Sequence, residues 1–300
     1  MAKKEYMHII VTGALLLGFA GAVAMPACAY AANNQSEILQ VKPEKPQVTE
    51  MSGIVYKQVK DMGQNIALTL NLLQPHPLTD RAYPLVVYVP GGAFVRADQE
   101  QNLQIRMALA ERGYMVASLT YRTAPNFKFP APLEDVKAAI RYLRAHANDY
   151  HINPDKIAIM GVSAGGYLSA MTAATNNERE FDTGDNLDVS SQVACGVDLF
   201  GPTDLLGCGV VPDGLFVDKD NNAAANPTNH LTSGEAPLLL MHGTKDTLIG
   251  EEETEALYNT YLKAGLPAER VIVPEAAHGG VYWVQDEVID RIAKFLDKYL

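Results

Sequence analysis

The chain is poor in cysteine and has no clustered basic residues. Its 3 cysteines are too few and too scattered to build a disulfide scaffold or a zinc site. Its formal net charge is -11, which would repel a phosphate backbone, so nucleic acid is not an expected partner. No cluster of His, Asp and Glu has metal-ligand spacing, and neither a metal nor another cofactor is predicted.

Internal repeats and low-complexity tracts are also missing. The composition is 48% hydrophobic and 20% charged, which excludes a disordered chain and a coiled coil. A length of 300 residues is enough for one large α/β domain or two small ones.

Residues 1–31 have the features of an export signal: a basic start, an apolar run over 9–24 and small residues at 29 and 31. The run has about 16 residues, shorter than the roughly 20 that span a bilayer, so we expect cleavage and no stable membrane span. A lipoprotein anchor through Cys28 is disfavoured because Pro26 stands where a small residue is preferred. The sequence therefore predicts a secreted or periplasmic protein.

The polar stretch 32–50 contains two prolines and is interpreted as a linker, which leaves 51–300 as the folded domain. An oxidising compartment permits a disulfide between Cys195 and Cys208, and the sequence leaves open whether it forms.

Strand and helix patterns alternate from residue 51, which predicts an α/β fold: a mostly parallel sheet with helices on both faces. Strands are expected at 54–59 and 67–73 (an antiparallel pair), 85–89, 115–119, 157–160, 193–200, 238–241 and 271–273. Helices are expected at 133–150, 251–264 and 286–300. The first of these helices is predicted to turn Asp135, Lys137 and Arg141 away from its apolar side. Residues 205–236, rich in Gly, Asn and Pro, form either a loop or a small cap over a pocket.

A candidate nucleophile lies in the run Gly161-Val162-Ser163-Ala164-Gly165-Gly166, which follows a predicted buried strand and opens a helix. Glycines beside a serine on so tight a turn relieve steric clashes and leave the hydroxyl exposed. A Gly-x-Ser-x-Gly spacing also arises by chance, so the interpretation depends on the predicted strand before it and the predicted helix after it. The alternative is an ordinary strand-to-helix turn that contains a serine. A serine hydroxyl also needs a base, and the base needs an orienting acid.

The predicted base is His278, in the loop after the 271–273 strand, because sheet-based active sites lie at the carboxyl ends of strands. Of the 7 histidines, only His230 and His278 follow both the serine and a plausible acid, and His230 is expected to be an ordinary loop residue.

The predicted acid is Asp246, the first carboxylate after the 238–241 strand. His242 nearby is expected to be a packing residue. Two competitors have structural interpretations: the acidic run 251–253 favours a helix N-terminus, and Asp204 suits a turn in which it bonds its own backbone.

Oxyanion donors are expected from two places. Ala164 follows the serine, and the Gly91-Gly92 pair directly follows the 85–89 strand. Paired glycines let main-chain N–H groups turn outward without side-chain obstruction, as an oxyanion site requires.

The chain resembles the α/β-hydrolases, specifically secreted esterases of the hormone-sensitive-lipase and feruloyl/acetyl-xylan-esterase-like groups. The segments that carry the resemblance are 90–94, 121–125, 129–135, 161–166, 242–246 and 277–279. The resemblance implies a nucleophile, acid and base at Ser163, Asp246 and His278, and oxyanion donors at Gly91, Gly92 and Ala164. The chain departs from the family in having Pro90 and Ala93 where His and a third Gly are usual, and no large N-terminal helical lid is expected.

The expected activity is carboxylic-ester hydrolysis through an acyl-serine, on small acyl esters or on acetyl and feruloyl esters of polysaccharide. Two alternatives remain. One is an exopeptidase of the prolyl-oligopeptidase kind, although this chain is too short for the propeller domain usual there. The other is a non-catalytic hydrolase-fold binding protein, although such proteins commonly lose a triad residue.

Overall fold

The computed structural model of the protein describes residues 36–209 and 211–300. The chain divides into two units at Lys42, and the described part of the first, residues 36–42, is exposed and contains no helix or strand. The predicted export signal, with Cys28, lies outside the described residues. None of the helices in the described ranges is both long enough and apolar enough to cross a bilayer.

A single eight-stranded sheet runs through the second unit, in the order β1-β2-β4-β3-β5-β6-β7-β8. Its strands are β1 (Gln47–Asp61), β2 (Gln64–His76), β3 (Tyr83–Val89), β4 (Met115–Leu119), β5 (Ile152–Val162), β6 (Cys195–Leu199), β7 (Leu238–Gly243) and β8 (Ala268–Val273). β1 and β4 both pair with β2 antiparallel, and all other neighbours are parallel. The predicted α/β fold with a mostly parallel sheet is confirmed.

Within the part of the chain that the structure describes, five α-helices cover both faces of the sheet: α1 (Leu103–Glu111), α2 (Ala131–Ala145), α3 (Ala164–Ala174), α4 (Glu252–Lys263) and α5 (Asp286–Tyr299). α2, α3 and α4 share one apolar cluster with the sheet, and α1 and α5 share the other. Along β3, Leu85 and Val87 enter the first cluster while Val86 and Tyr88 enter the second. The unbroken apolar run of this strand follows from burial on both faces.

Several element boundaries differ from the sequence predictions. β1 begins at Gln47, inside the predicted linker, because residues 47–50 pair with 73–76 of β2 at the sheet edge. An edge strand exposed on one side needs no apolar run, so the pattern gave no sign of it. The helix expected over 133–150 ends at Ala145, and tight turns then lead the chain into β5. α1 was not predicted; it is short, has no acidic first turn, and follows an Asn102 in the left-handed conformation.

The described residues of 205–236 form a turn-rich loop that includes two short 3₁₀ helices, Lys219–Asn221 and Pro227–Asn229. Several contacts hold it in place, and two of them lie close to the candidate site. The Phe216 ring stacks on Phe94, with centroids 4.0 Å apart, and the Tyr167 hydroxyl donates to the Ala225 carbonyl at 2.6 Å. The loop therefore packs on α3 and on the residues that follow β3. Cys195 has a buried free thiol, so it forms no disulfide with Cys208.

Three charged residues of α2 are buried, although the periodicity of the helix places them opposite its apolar side. Asp135, Lys137 and Arg141 are all 0% exposed. Each has found partners: for example, Lys137 Nζ donates to the Thr175 carbonyl at 2.7 Å, and Arg141 pairs with Asp182 at 3.0 Å. A helical pattern reports polarity and not exposure, so charged residues can be buried where neighbouring loops supply hydrogen-bond partners.

Asp135 joins three parts of the fold. Its carboxylate accepts from Lys57 Nζ of β1 at 2.7 Å, and from the main-chain N–H and the Nε of Arg122 at 2.9 and 2.8 Å. Removing one partner from a buried ion pair leaves the others desolvated and uncompensated.

We therefore expect Asp135→Ala to lower the free energy of unfolding by about 3 kcal/mol, measured by chemical denaturation. Asp149→Ala is the matched control, because Asp149 pairs with His146 with its side chain 69% exposed. That change should cost no more than about 1 kcal/mol. Equal losses in the two variants would contradict the prediction.

Candidate active site

Ser163 lies on the tight turn between β5 and α3, with φ of 55° and ψ of -122°. This left-handed conformation is rare for a residue with a side chain and needs support from its surroundings. Support comes from both sides: its N–H donates to the Leu199 carbonyl at 2.9 Å, and its carbonyl accepts from the Tyr167 N–H at 3.0 Å. The turn places the half-buried side chain at the carboxyl edge of the sheet.

Glycines around Ser163 permit very close backbone approach. A Cβ at Gly161 would lie 2.1 Å from the Gly165 carbonyl oxygen, and one at Gly165 would lie 2.0 Å from that of Val89. Neither distance is compatible with any side chain. The glycines therefore let α3 begin directly against the end of β3.

The structure brings Ser163, His278 and Asp246 into one hydrogen-bonded series. Ser163 Oγ is 2.9 Å from His278 Nε2, and His278 Nδ1 is 2.7 Å from Asp246 Oδ2. Because a carboxylate can only accept, Nδ1 carries the proton and Nε2 is left to accept from the serine hydroxyl. The three residues follow β5, β8 and β7, so their meeting depends on the parallel order of these strands.

The Asp246 side chain is fully buried. Burial raises its pKa, but hydrogen bonds from His242, His278 and the Ile249 N–H outweigh that effect and hold the pKa below its usual range. Its Oδ1 accepts from the main-chain N–H groups of Leu248 and Ile249, both at 2.9 Å. The carboxylate is therefore ionised at neutral pH and fixed in orientation.

Phe200 contacts His278 and is in turn contacted by Trp283, and neither residue was predicted from the sequence. The imidazole meets Phe200 edge-on with centroids 4.8 Å apart, and Phe200 contacts Trp283 at 4.6 Å. Trp283 Nε1 also donates to the Ala277 carbonyl at 2.9 Å. The sequence offered one indication of this contact: the one tryptophan of the chain lies five residues after the predicted base.

Two competing residues have structural partners away from Ser163. Asp204 Oδ1 accepts from the N–H of Gly207 at 3.0 Å, as a turn aspartate does. His230 bonds Glu178 at 3.0 Å.

Two acids of the run 251–253 also have structural partners. Glu253 accepts from the N–H of Thr203 at 2.8 Å. Glu251 lies 3.5 Å from Arg270.

His242 does more than fill space, which corrects the sequence interpretation. Its Nε2 is 2.9 Å from the Ile249 carbonyl and 3.4 Å from Asp246 Oδ2. The contact requires the chain after Asp246 to turn back onto the end of β7, and no local pattern indicates that turn.

The loop after β3 passes directly beside Ser163. A Cβ at Gly91 would lie 3.2 Å from that of Ser163. Among the described residues, the main-chain N–H groups of Gly91, Gly92 and Ala164 have no acceptor, so they are free to donate to a bound oxyanion.

Two hydrogen bonds brace this loop. The Tyr121 hydroxyl donates to the Pro90 carbonyl at 3.0 Å, and the Ala124 N–H donates to the Phe94 carbonyl at 2.8 Å.

In the described ranges, no three His, Cys, Asp or Glu side chains are grouped so as to hold a metal ion.

The sequence profile of the BD-FAE family matches residues 70–261. The chain belongs to the BD-FAE family. The match includes the Ser163 turn, the Gly91 loop and Asp246, while His278 lies beyond its end.

Known relatives of this BD-FAE chain include two proteins of Mycobacterium tuberculosis (strain ATCC 25618 / H37Rv). The probable carboxylic ester hydrolase LipM is 30% identical over 181 residues, which cover 55% of this chain and 42% of that protein. Esterase LipC is 27% identical over 209 residues, covering 65% and 52%. The chain thus spans about half the length of these curated relatives.

Among solved structures, a truncated carbohydrate esterase from gut microbiota superposes with a TM-score of 0.73 at 25% identity. The superposition covers 84% of this chain and 96% of that one. It therefore extends over most of the sheet and helices that carry the candidate site.

We predict that Gly165→Ala separates α3 from β3 in this BD-FAE fold. The added methyl meets backbone atoms that cannot rotate away, so unfolding free energy should fall by more than about 3 kcal/mol. Labelling of Ser163 by a fluorophosphonate should slow as the turn shifts.

Gly196→Ala is the matched control, since its methyl would meet only side-chain atoms, the nearest being Leu238 Cδ1 at 3.0 Å. It should cost about 1–2 kcal/mol and leave labelling unchanged. The prediction is wrong if the two variants behave alike in both measurements.

Proposed function

We propose that the protein is a carboxylic-ester hydrolase that works through an acyl-serine intermediate. The observation that carries this proposal is the series from Ser163 Oγ through His278 to Asp246, at 2.9 and 2.7 Å. The esterase names of the BD-FAE relatives support the same reaction class.

In the first half of the reaction, Ser163 Oγ attacks the ester carbonyl while its proton passes to His278 Nε2. Asp246 stabilises the resulting imidazolium. The carbonyl oxygen becomes an oxyanion, which accepts hydrogen bonds from the N–H groups of Gly91, Gly92 and Ala164. His278 then gives its proton to the departing alcohol, and the acyl group remains on the serine.

In the second half, His278 takes a proton from water, and the hydroxide formed attacks the acyl carbonyl. A second oxyanion forms at the same N–H groups. Its collapse breaks the bond to Ser163, whose oxygen recovers a proton from His278, and the carboxylic acid leaves.

For substrates, we propose small acyl esters or acetyl and feruloyl esters carried by polysaccharide. The similarity to a structure named as a carbohydrate esterase supports this class. The export signal predicted in residues 1–31 is a further expectation that agrees with it. Export would bring a secreted or periplasmic enzyme to extracellular polymers.

Ser163→Ala should reduce hydrolysis of a nitrophenyl acetate by about 10⁴-fold or more, because the nucleophile is lost while the binding residues remain. The same variant should not react with a fluorophosphonate. Ser52→Ala, at an exposed position of β1, is the control and should match the unsubstituted protein. Full activity in Ser163→Ala would show that Ser163 is not the nucleophile. An unsubstituted protein that is not labelled and hydrolyses no ester would favour a non-catalytic binding protein.

Activity should fall as the pH is lowered, since a protonated Nε2 of His278 cannot accept the proton of the serine hydroxyl. Asp246 adds no second acid limb because its pKa is held low. The measurement is kcat/KM for a neutral ester from pH 4.5 to pH 8.5, with protein stability checked at each end. A flat profile between pH 5 and pH 8 would rule out His278 as the base.

Substrate preference is measured by comparing acetyl, butyryl, octanoyl and feruloyl esters with a matched amide. Faster turnover of the first or last of these esters supports the proposed substrate class. Amide hydrolysis at a comparable rate would favour the exopeptidase alternative.

A further inference from the structure

His242 has a hydrogen-bonding environment that the proposed reaction leaves unexplained. The residue lies on β7 and its side chain is 0% exposed. Each ring nitrogen has a partner: Nδ1 is 3.2 Å from the Thr254 hydroxyl, and Nε2 is near both the Ile249 carbonyl and Asp246. Buried ring nitrogens need hydrogen-bond partners whatever the role of a histidine, but here one neighbour is the carboxylate of the proposed acid.

The partners determine where the proton lies. The Ile249 carbonyl can only accept, and it is 2.9 Å from Nε2, so Nε2 carries a proton. That N–H is also 3.4 Å from Asp246 Oδ2, the same oxygen that accepts from His278. The carboxylate of the proposed acid therefore lies between two imidazoles.

Two hydrogen bonds of Ile249, one at its N–H and one at its carbonyl, hold the turn after β7 in place. The Ile249 N–H donates to Asp246 Oδ1 at 2.9 Å, while the Ile249 carbonyl accepts from His242. Because His242 belongs to the strand, its ring links the turn to the sheet. The rotation of the Asp246 carboxylate is thereby restricted, and with it the direction of Oδ2 toward His278.

The charged groups that face His242 are Asp246 in the loop after its own strand and Asp198 from β6, while α4 contributes the Thr254 hydroxyl. Burial lowers the pKa of His242, but Asp246, the Ile249 carbonyl and Asp198 together raise it above its ordinary value. Asp198 itself is fully buried, and burial raises its pKa to about 7.

We propose that His242 is a positioning residue for the ester hydrolysis. Its imidazole orients the Asp246 carboxylate toward His278 and partly balances the negative charge of that carboxylate. This inference rests on the proposed function. His242 acts through Asp246, so replacing His242 should lower kcat, which depends on His278 as the base, without changing substrate binding.

The test compares two amides at one position. In His242→Gln, the amide nitrogen is as many bonds from Cβ as Nε2 is in histidine, so it can still donate to Ile249 and Asp246. In His242→Asn, the side chain is one bond shorter and reaches only as far as Nδ1. Both variants are polar, so they impose a similar burial cost on the fold.

We expect kcat of His242→Gln to stay within about threefold of the unsubstituted protein, and kcat of His242→Asn to fall by about tenfold to a hundredfold with KM changed less than twofold. The acid limb should also move to higher pH in His242→Asn. A carboxylate with one donor fewer attracts the proton on His278 more strongly, so protonation sets in earlier as the pH falls.

Equal kcat and equal pH profiles in the two variants would overturn the inference, as would a loss confined to KM. If His242→Asn does not show a cooperative melting transition, His242→Leu takes its place, with the same expected loss and the same shift. An unsubstituted protein that hydrolyses no ester would contradict the proposed function itself; an active one with insensitive variants contradicts only the role of His242.

Discussion

The close approach of α3 to the ends of β3 and β5 constrains everything at the carboxyl edge of the sheet. Gly165 faces the Val89 carbonyl at a distance that admits no side chain, and Ser163 adopts a left-handed conformation between strand and helix. This geometry directs the serine hydroxyl outward and brings the Ala164 N–H beside the Gly91 loop. Without the glycines, the helix would begin further from the sheet and the two sets of N–H groups would separate.

The second constraint is the burial of charge at Asp246, the proposed acid. A carboxylate in a fully buried position is costly unless it is hydrogen bonded. Asp246 meets that requirement with main-chain donors on one oxygen and His278 on the other, and His242 Nε2 lies 3.4 Å from that second oxygen. The same bonds that make the charge tolerable also fix its direction, so electrostatic stabilisation and orientation have one physical source.

The proposed base, His278, is held differently, by aromatic contact. Phe200, at the end of β6, meets the imidazole edge-on, and Trp283, beyond His278 in the chain, packs against Phe200. The ring is thus restrained by packing on one side and by hydrogen bonds at its two nitrogens. Residues from four successive strand ends therefore cooperate in holding one hydroxyl–imidazole–carboxylate series.

Much of this protein was determined by local sequence. Buried runs such as 85–89 identify the central strands, because a strand covered on both faces has no polar positions, and the glycines around Ser163 identify the turn that only they permit. The Ser-acid-His order along the chain, in loops that follow predicted strands, also indicated Ser163, Asp246 and His278 as candidate partners. The tertiary structure decided what periodicity cannot report: that Asp135 and Lys137 are buried, that residues 47–50 join an edge strand, and that His242 meets Asp246. Each of these depends on which distant segment supplies a hydrogen-bond partner. Pairing between two segments cannot be read from the polar and apolar pattern of either segment alone.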